Sequence, residues 1–424
     1  MRVLMFGWEF PPSISGGLGT ACFGITKALT ELGQEVVFVL PRINAETASV
    51  QAKFLAAEEY PFSQWEQAAT FGALWDKMKI RTVDSALRPY MNEQQYQALL
   101  TKVNHQGASH FPMSGVYGPN LLAEIWRYGK VAQEIAKQET FDIIHGHDWT
   151  SVLACINARN VSGKPYVYHA HALEFDRSGD NINQVVYDLE KLGMEAADQV
   201  IAVSHYTKEN IIRLYGLPPE KITVVHNAVS RSESEVRSEA KKRDGRKIVL
   251  FLGRITFQKG PDYFVEAASL VLQSMSGVEF VMAGAGDMMN QMIEKVAELA
   301  MGAHFHFTGF LQGREVEQIY AMSDLYVMPS VSEPFGISPL EAMLYDVPVI
   351  ISKQSGVGEI LHHALKVDFW NVRDLADKMI ALLRHPSLVD EMSAGACEEL
   401  KNIKWEQAAE KIVAVYKQVL NNES

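Results

Sequence analysis

The sequence predicts an α/β protein made of two doubly wound domains facing each other across a cleft. Short β-branched or apolar runs alternate with amphipathic helical stretches along the chain, the pattern of parallel sheets covered by helices. At 424 residues the chain is long for a single core. Near its middle stands SRSESEVRSEAKKRDGR, residues 230–246, which is polar, charged and without apolar period, and so reads as a linker.

The first domain spans 1–229, with strands expected at RVLMF, VVFVL, FDIIHGH, PYVYHAH, QVIAVS and ITVVHN. Residues 45–113 break the alternation: they are rich in aromatic, Gln and Met residues, carry no clear strand, and read as a mainly helical insertion. The second domain spans 247–402, with strands at IVLFLGR, VEFVMAG, HFHFTGF, DLYVMPS and PVIIS, and helices such as 261–273 and 289–300 between them. The last helix, within 403–424, carries Trp405, Ala408, Ile412, Val415 and Tyr416 on one stripe.

With 51 acidic against 39 basic residues, the formal charge of −12 argues against nucleic acid and anionic membrane as main partners. Any anion site must then be local. Cys22, Cys155 and Cys397 are odd in number and widely spaced, which suits neither a disulfide framework nor a zinc pattern and fits a reducing cytoplasm. The opening MRVLMFGWEFPP is a short strand broken by prolines, no window approaches ~18 unbroken apolar residues, and the chain is expected to be cytoplasmic with no integral membrane contact.

The most informative stretch is SEPFGISPLEAM, where Glu333 and Glu341 stand eight positions apart around Phe335, Gly336 and Ile337. It follows a buried strand and starts a helix with Glu341 in its first turn, so free amides at the helix start favour an anionic or hydroxyl-rich ligand. Two carboxylates would repel a bare phosphate but suit sugar or ribose hydroxyls beside one. The alternative is a helix start that favours Glu for dipole reasons alone. Arg254 and Lys259, in GRITFQKG after IVLFLGR, can converge on one anion, or else are solvated cations at a strand end. Their place at a strand carboxyl end in the half that carries Glu333 favours the first reading.

The first half offers SGGLGTA, whose Gly16 and Gly17 would let backbone approach a phosphate or acceptor. It lacks the full GxGxxG spacing, and LPR rather than an acidic residue ends the second strand, so a dinucleotide site is disfavoured. Histidines cluster in HGHDW and YHAHALEFDR. Strand alternation puts His145 and His147 on one face and His169 and His171 likewise. Metal binding is the rival reading, but the spacings lack a closed zinc pattern and no HExxH helix is present. His145 and His169 are expected to be core residues, whereas His147 and His171, nearer the strand ends, are site candidates.

Taken jointly, GGLG, HGHDW, YHAH, AVSHYTKENI, VVHN, GRITFQKG, GAGD and EPFGISPLEAM resemble the retaining nucleotide-sugar glycosyltransferases of GT-B fold, nearest to glycogen and starch synthases. The resemblance covers nearly the whole chain in the family's order, and its most specific element is the glutamate pair. It implies two Rossmann-like domains, with the final helix returning to the first near Trp405. It further implies that Glu333 holds the donor sugar's hydroxyls, Glu341 the ribose, and the amides of Gly336 and Ile337, beside Phe335, the sugar and phosphate. Arg254 and Lys259 would receive the departing diphosphate, His171 would lie beside the donor sugar, and Asp148 and Gly17 would be on the donor side. Gly16, His147, Glu174 and Arg177 are the acceptor-side candidates.

The resemblance implies front-face retention, with two fixed cations and helix-start amides in place of a metal, so neither metal nor cofactor is expected. Two departures bear on the acceptor. Bacterial glycogen synthases carry a lysine before the paired glycines (KxGGL) where this chain reads SISGGLG, and VVHNAV has Ala228 in place of a glycine. HALEFDR is also similar to sucrose and sucrose-phosphate synthases. The expected activity is transfer of glucose from ADP- or UDP-glucose to an α-glucan. The alternatives are transfer to a small acceptor, such as a sugar phosphate or lipid-linked sugar, and a catalytically decayed regulatory protein that binds nucleotide sugars.

Overall fold

The structure is a computed structural model that describes residues 1–11, 16–42, 51–60, 121–230 and 245–422, and elements are numbered over these. The first sheet is parallel, and its strands are β1 (Arg2–Phe6), β2 (Glu35–Leu40), β3 (Lys53–Ala56), β4 (Ile143–His147), β5 (Tyr166–Ala170), β6 (Gln199–Ala202) and β7 (Ile222–Val224), in spatial order 3-2-1-4-5-6-7. Its helices are α1 (Gly17–Glu31), α2 (Leu121–Gln138), α3 (Val152–Ser162), α4 (Glu174–Ser178), α5 (Gln184–Ala196) and α6 (His205–Asn210). The second sheet repeats the order with β8 (Lys247–Leu252), β9 (Val278–Ala283), β10 (Phe305–Gly309), β11 (Leu325–Met328), β12 (Val349–Ser352) and β13 (Leu365–Val367), arranged 10-9-8-11-12-13. Its helices are α7 (Pro261–Ser274), α8 (Met289–Glu298), α9 (Arg314–Met322), α10 (Ser338–Leu344), α11 (Val372–Arg384) and α12 (Pro386–Leu400), and α13 (Trp405–Asn422) ends the chain. Each sheet is thus doubly wound, and its order reverses between its first and fourth strands, where ligands bind in such folds.

The continuous apolar runs of the strands follow from burial on both faces. Along β1, Val3 and Met5 join one core while Leu4 and Phe6 join another on the opposite side. The first of these cores continues from Phe38 and Ile143 through Trp405, Ile412 and Tyr416 of α13 to Tyr326, Leu340 and Ile351 of the second sheet. The third, with Phe264, Phe280 and Ile350, covers the far face of that sheet. The stripe expected on the final helix is the face that is buried. It packs on α1 at Gly24, where a Cβ would lie 2.2 Å from the Trp405 ring, so only glycine lets the two helices approach this closely.

Two strands escape the sequence reading. β3 lies inside the 45–113 segment, which therefore does contribute a strand; it is short and at the sheet edge, where only one side needs a partner. Edge strand β13 likewise has only three residues. Most of 45–113 and residues 231–244 of the linker lie outside the described residues. Among the described residues no helix is long and apolar enough to cross a membrane.

Candidate active site

The two loops at the reversal point of the second sheet meet. Lys259 ends a 3₁₀ turn after β8, Glu333 follows β11, and their side chains form an ion pair that is largely covered. Ser330 adds a hydroxyl 3.2 Å from the same carboxylate oxygen. Arg254 donates to Gln258 Oε1 at 2.6 Å, and Gln258, which is buried, donates from Nε2 to the Ser332 carbonyl. Gln258 thus ties the arginine's loop to the glutamate's loop. Nothing in the sequence marks it, because a glutamine between two cations looks like surface. Buried ion pairs add little net stability and leave an uncompensated charge when halved.

Past Glu333, Phe335 is buried, Gly336 turns the chain at φ 99°, and Ile337 caps α10 without a side-chain hydrogen bond. Glu341 stands in the first turn, as the spacing predicts, and accepts a hydrogen bond from Tyr320 at 3.0 Å. Burial pushes its carboxyl above the usual range, and the Tyr320 hydroxyl partly offsets that.

In the first domain, Gly16 and Gly17 are exposed at the start of α1, which has no capping side chain and no acidic residue in its first turn. An open helix start after β1 is a place for a polar or anionic ligand group. At the other side of the reversal point, β4 ends at His147 and Asp148 follows it. Asp148 has φ 56° and ψ 178°, a conformation a non-glycine residue holds only when its surroundings force it, at a cost of about 1–3 kcal/mol. The forces are visible: its Oδ1 accepts the amides of His171 at 2.6 Å and Ala172 at 3.3 Å, and its own amide donates to the His169 carbonyl. Burial pushes this carboxyl up to about 6, against the pull of Arg177 and the two amides. Asp148 therefore shapes the loop that carries His171.

The four histidines form a stacked patch on β4 and β5, with His147 opposite His169 in register. His145 is bonded through Nδ1 to the Tyr416 hydroxyl of α13 and through Nε2 to His169 Nδ1 at 3.2 Å. His147 Nδ1 meets His171 Nε2 at 2.9 Å. Burial pushes His145 and His171 down to about 3 and holds His147 and His169 well below the ordinary histidine value, so all four rings are neutral at pH 7. Ring nitrogens of His145, His147 and His169 lie within 4.8 Å of one another, close enough for a metal to be considered.

Three acceptor-side candidates are buried or engaged by neighbouring side chains. His147 is fully buried and reaches the surface only through His171. Glu174 and Arg177 are committed to a network with Glu190 and Tyr215: Arg177 pairs with both glutamates, the Tyr215 hydroxyl donates to Glu190, and Glu174 accepts the Asn183 amide at 2.9 Å. Burial works against the Arg177 charge, but the carboxylates of Glu190 and Glu174 hold its pKa raised. These contacts hold the loop after β5, where Arg177 also donates to the Ala172 carbonyl. Sequence spacing misses Glu190, which sits in a helix sixteen residues beyond Glu174.

Comparison with known proteins agrees with this fold. The model of "Glycosyltransferase Family 4" matches residues 15–233, and that of "Glycosyl transferases group 1" matches residues 232–398. An uncharacterized glycosyltransferase of Methanocaldococcus jannaschii is 27% identical over 382 residues, covering 86% of this chain and 83% of its own. The glycogen synthase of Mycobacterium tuberculosis is 23% identical over 433 residues, covering 98% and 94%. The structure of a sucrose-phosphate synthase from Thermosynechococcus elongatus superposes with TM-score 0.74 at 15% identity over the whole of both chains. That of Anabaena HepE in complex with UDP and glucose superposes with TM-score 0.71 at 17% identity over 99% of this chain and 100% of that one. With two doubly wound sheets, charged loops at the second reversal point, and family models matching both halves, the chain belongs to the GT-B glycosyltransferases of family 4 and group 1, with glycogen synthase among its relatives.

Proposed function

We propose that the protein is a retaining glycosyltransferase that moves glucose from a nucleotide-glucose to an α-glucan. The observation that carries this is the Lys259–Glu333 pair beside Arg254 at the second sheet's reversal point. Two cations there suit a diphosphate leaving group, and a carboxylate beside them suits the hydroxyls of the sugar it leaves. Glu341, one helical turn into α10, suits the ribose. HepE, solved with UDP and glucose, and the name glycogen synthase support a nucleotide-glucose donor and a glucan acceptor. Front-face departure and attack is the route that the family resemblance implies, and the fixed cations would stabilise leaving-group charge without a metal. His171, neutral and stacked on His169, is suited to hydrogen-bond a sugar hydroxyl rather than to carry charge.

The test is to incubate the pure protein with a panel of nucleotide sugars, without acceptor, and to score nucleoside diphosphate release. Slow hydrolysis of ADP- or UDP-glucose alone is expected. No release from any donor, with or without glycogen, would overturn the reading. A small acceptor is the second reading, favoured by Ile14 standing where KxGGL would carry its lysine and by the sucrose-phosphate synthase among the structural neighbours.

A further inference from the structure

We infer that the first domain sets the donor carboxylate: Ser204, Thr207, Asp176 and Tyr206 are positioning residues that clamp the chain on both sides of Glu333. The inference rests on the reading that Glu333 grips the transferred sugar. Glu333 itself is fixed within its own domain, its amide on the Gln354 carbonyl at 2.9 Å, its carbonyl on the Gly356 amide at 2.9 Å, and its side chain on Lys259. Its two neighbours in sequence are held from the other domain.

On one side, Ser332 Oγ donates to Asp176 Oδ1 at 2.6 Å and lies 2.9 Å from the Tyr206 hydroxyl. On the other, the Pro334 carbonyl accepts Ser204 Oγ at 2.6 Å and Thr207 Oγ1 at 3.2 Å. Both hydroxyls reach one oxygen, whose two lone pairs can take them; they also lie 2.9 Å from each other, and Ser204 Oγ accepts the Thr207 amide. Ser204 and Thr207 are fully buried, so this carbonyl has no water to turn to while the domains touch. The approach is tight enough to require glycine at 356, where a Cβ would stand 2.1 Å from the Pro334 oxygen and 2.5 Å from Ser204 Cβ. Beside it, the Glu359 carboxylate of the second domain accepts the His205 and Tyr206 amides at the start of α6, at 2.9 and 2.6 Å, and pairs with His226 at 2.8 Å.

Domain contact and donor geometry are thereby coupled. When the domains separate, Ser332 and Pro334 lose their partners and Glu333 keeps only the anchors of its own sheet. The chain on both sides of the carboxylate is then fixed only when the acceptor-side domain is in place, which restrains donor breakdown in the open form.

The test uses the nucleotide-glucose that the wild-type protein hydrolyses, with steady-state kinetics, calorimetric titration of its nucleoside diphosphate, and thermal unfolding. The variants are Ser204→Ala with Thr207→Val, Thr207→Ser alone, and Ser332→Ala. The double variant should lose about tenfold or more in kcat/KM with a raised KM, while the diphosphate, which has no sugar, binds within about twofold of wild type. Thr207→Ser keeps the hydroxyl and should stay near wild type. A merely structural defect would reduce the active fraction, lowering kcat and leaving KM alone. Kinetics within about twofold of wild type in the double variant, or equal weakening of diphosphate and nucleotide-glucose, would overturn the clamp. If the double variant does not fold, Ser332→Ala, at a less buried site, carries the same expectation, and the same results would overturn the clamp. A wild-type protein that turns over no nucleotide sugar would overturn the donor reading and the clamp together, whereas an active wild type with unaffected variants overturns the clamp alone.

Discussion

The two reversal points of this molecule are built from opposite electrostatic materials. At the second sheet, the loops bring together Lys259, Glu333 and Arg254, full charges held in partly covered surroundings. At the first sheet, the corresponding strand ends carry four neutral imidazoles, an open helix start and one strained aspartate. The same topology thus presents a charged wall, with several charges, and a neutral wall, of neutral rings around one carboxyl, Asp148. Developing charge on a leaving group needs fixed charge close by, whereas a hydroxyl acceptor needs shape and hydrogen bonds with no strong field. Protonating the imidazoles would place like charge in a dry patch, which is why burial keeps them neutral.

The largest effect should come from removing charge at the charged wall. Lys259→Ala or Arg254→Ala is expected to cut donor turnover by ~10²-fold or more, since each takes one fixed cation from the leaving group. Arg254→Lys should also be poorly tolerated, because a point charge cannot reproduce the guanidinium fork that Gln258 orients. Measurement is of kcat for nucleoside diphosphate release. Wild-type rates in both alanine variants would mean that the charged wall does not serve the leaving group.

This contrast is unequally legible in the sequence. The doubly wound pattern shows because buried parallel strands need unbroken apolar runs, and Glu333, Arg254 and Lys259 are recognisable because each lies just past such a run. His147, Glu174 and Arg177 look like site residues for the same reason, yet they are absorbed into buried networks whose other members, Tyr416 and Glu190, come from distant helices. Proximity in sequence to a strand end reports height in the sheet, not which way the side chain finds its partner. The strands β3 and β13 stay hidden because edge strands need neither length nor a two-sided apolar pattern.

A smaller effect would sharpen the neutral wall. Each buried histidine has a folded pKa below its unfolded value, so the unfolded chain binds more protons below pH 6.5 and stability is lost as pH falls from there. Asp148 and Glu190, raised by burial to about 6 and about 7, act in the opposite sense: the stability they contribute in acid is lost as pH rises through those values. The His145→Phe variant isolates one histidine from this balance. Between pH 6 and 4.5 its unfolding free energy, from urea titrations, should depend on pH less steeply than wild type, by about 1.4 kcal/mol per pH unit. Parallel curves would mean that His145 titrates in the folded protein and that the wall is not neutral.

The smallest expected effect is that of a chelator, and it decides whether the neutral wall is a metal site instead. His145, His147 and His169 bring ring nitrogens within 4.8 Å, a ligand set that zinc could use. Their existing bonds argue the other way: both nitrogens of His145 are taken, by Tyr416 and His169, and His147 already meets His171. The His145 ring is stacked within 29° of His147 and 23° of His169, whereas ligands of a tetrahedral ion converge from widely separated directions. His147 Nε2 and His169 Nε2 have no hydrogen-bond partner, so it is His145 that would have to give up the Tyr416 or the His169 bond to join an ion there. With the cations of the other wall available for the leaving group, EDTA should leave the initial rate of donor turnover unchanged. Full loss with EDTA, restored by zinc, would make the histidine patch a metal centre and end the contrast between a charged and a neutral wall; restoration by magnesium instead would place a cation at the diphosphate and show that Arg254 and Lys259 do not suffice there.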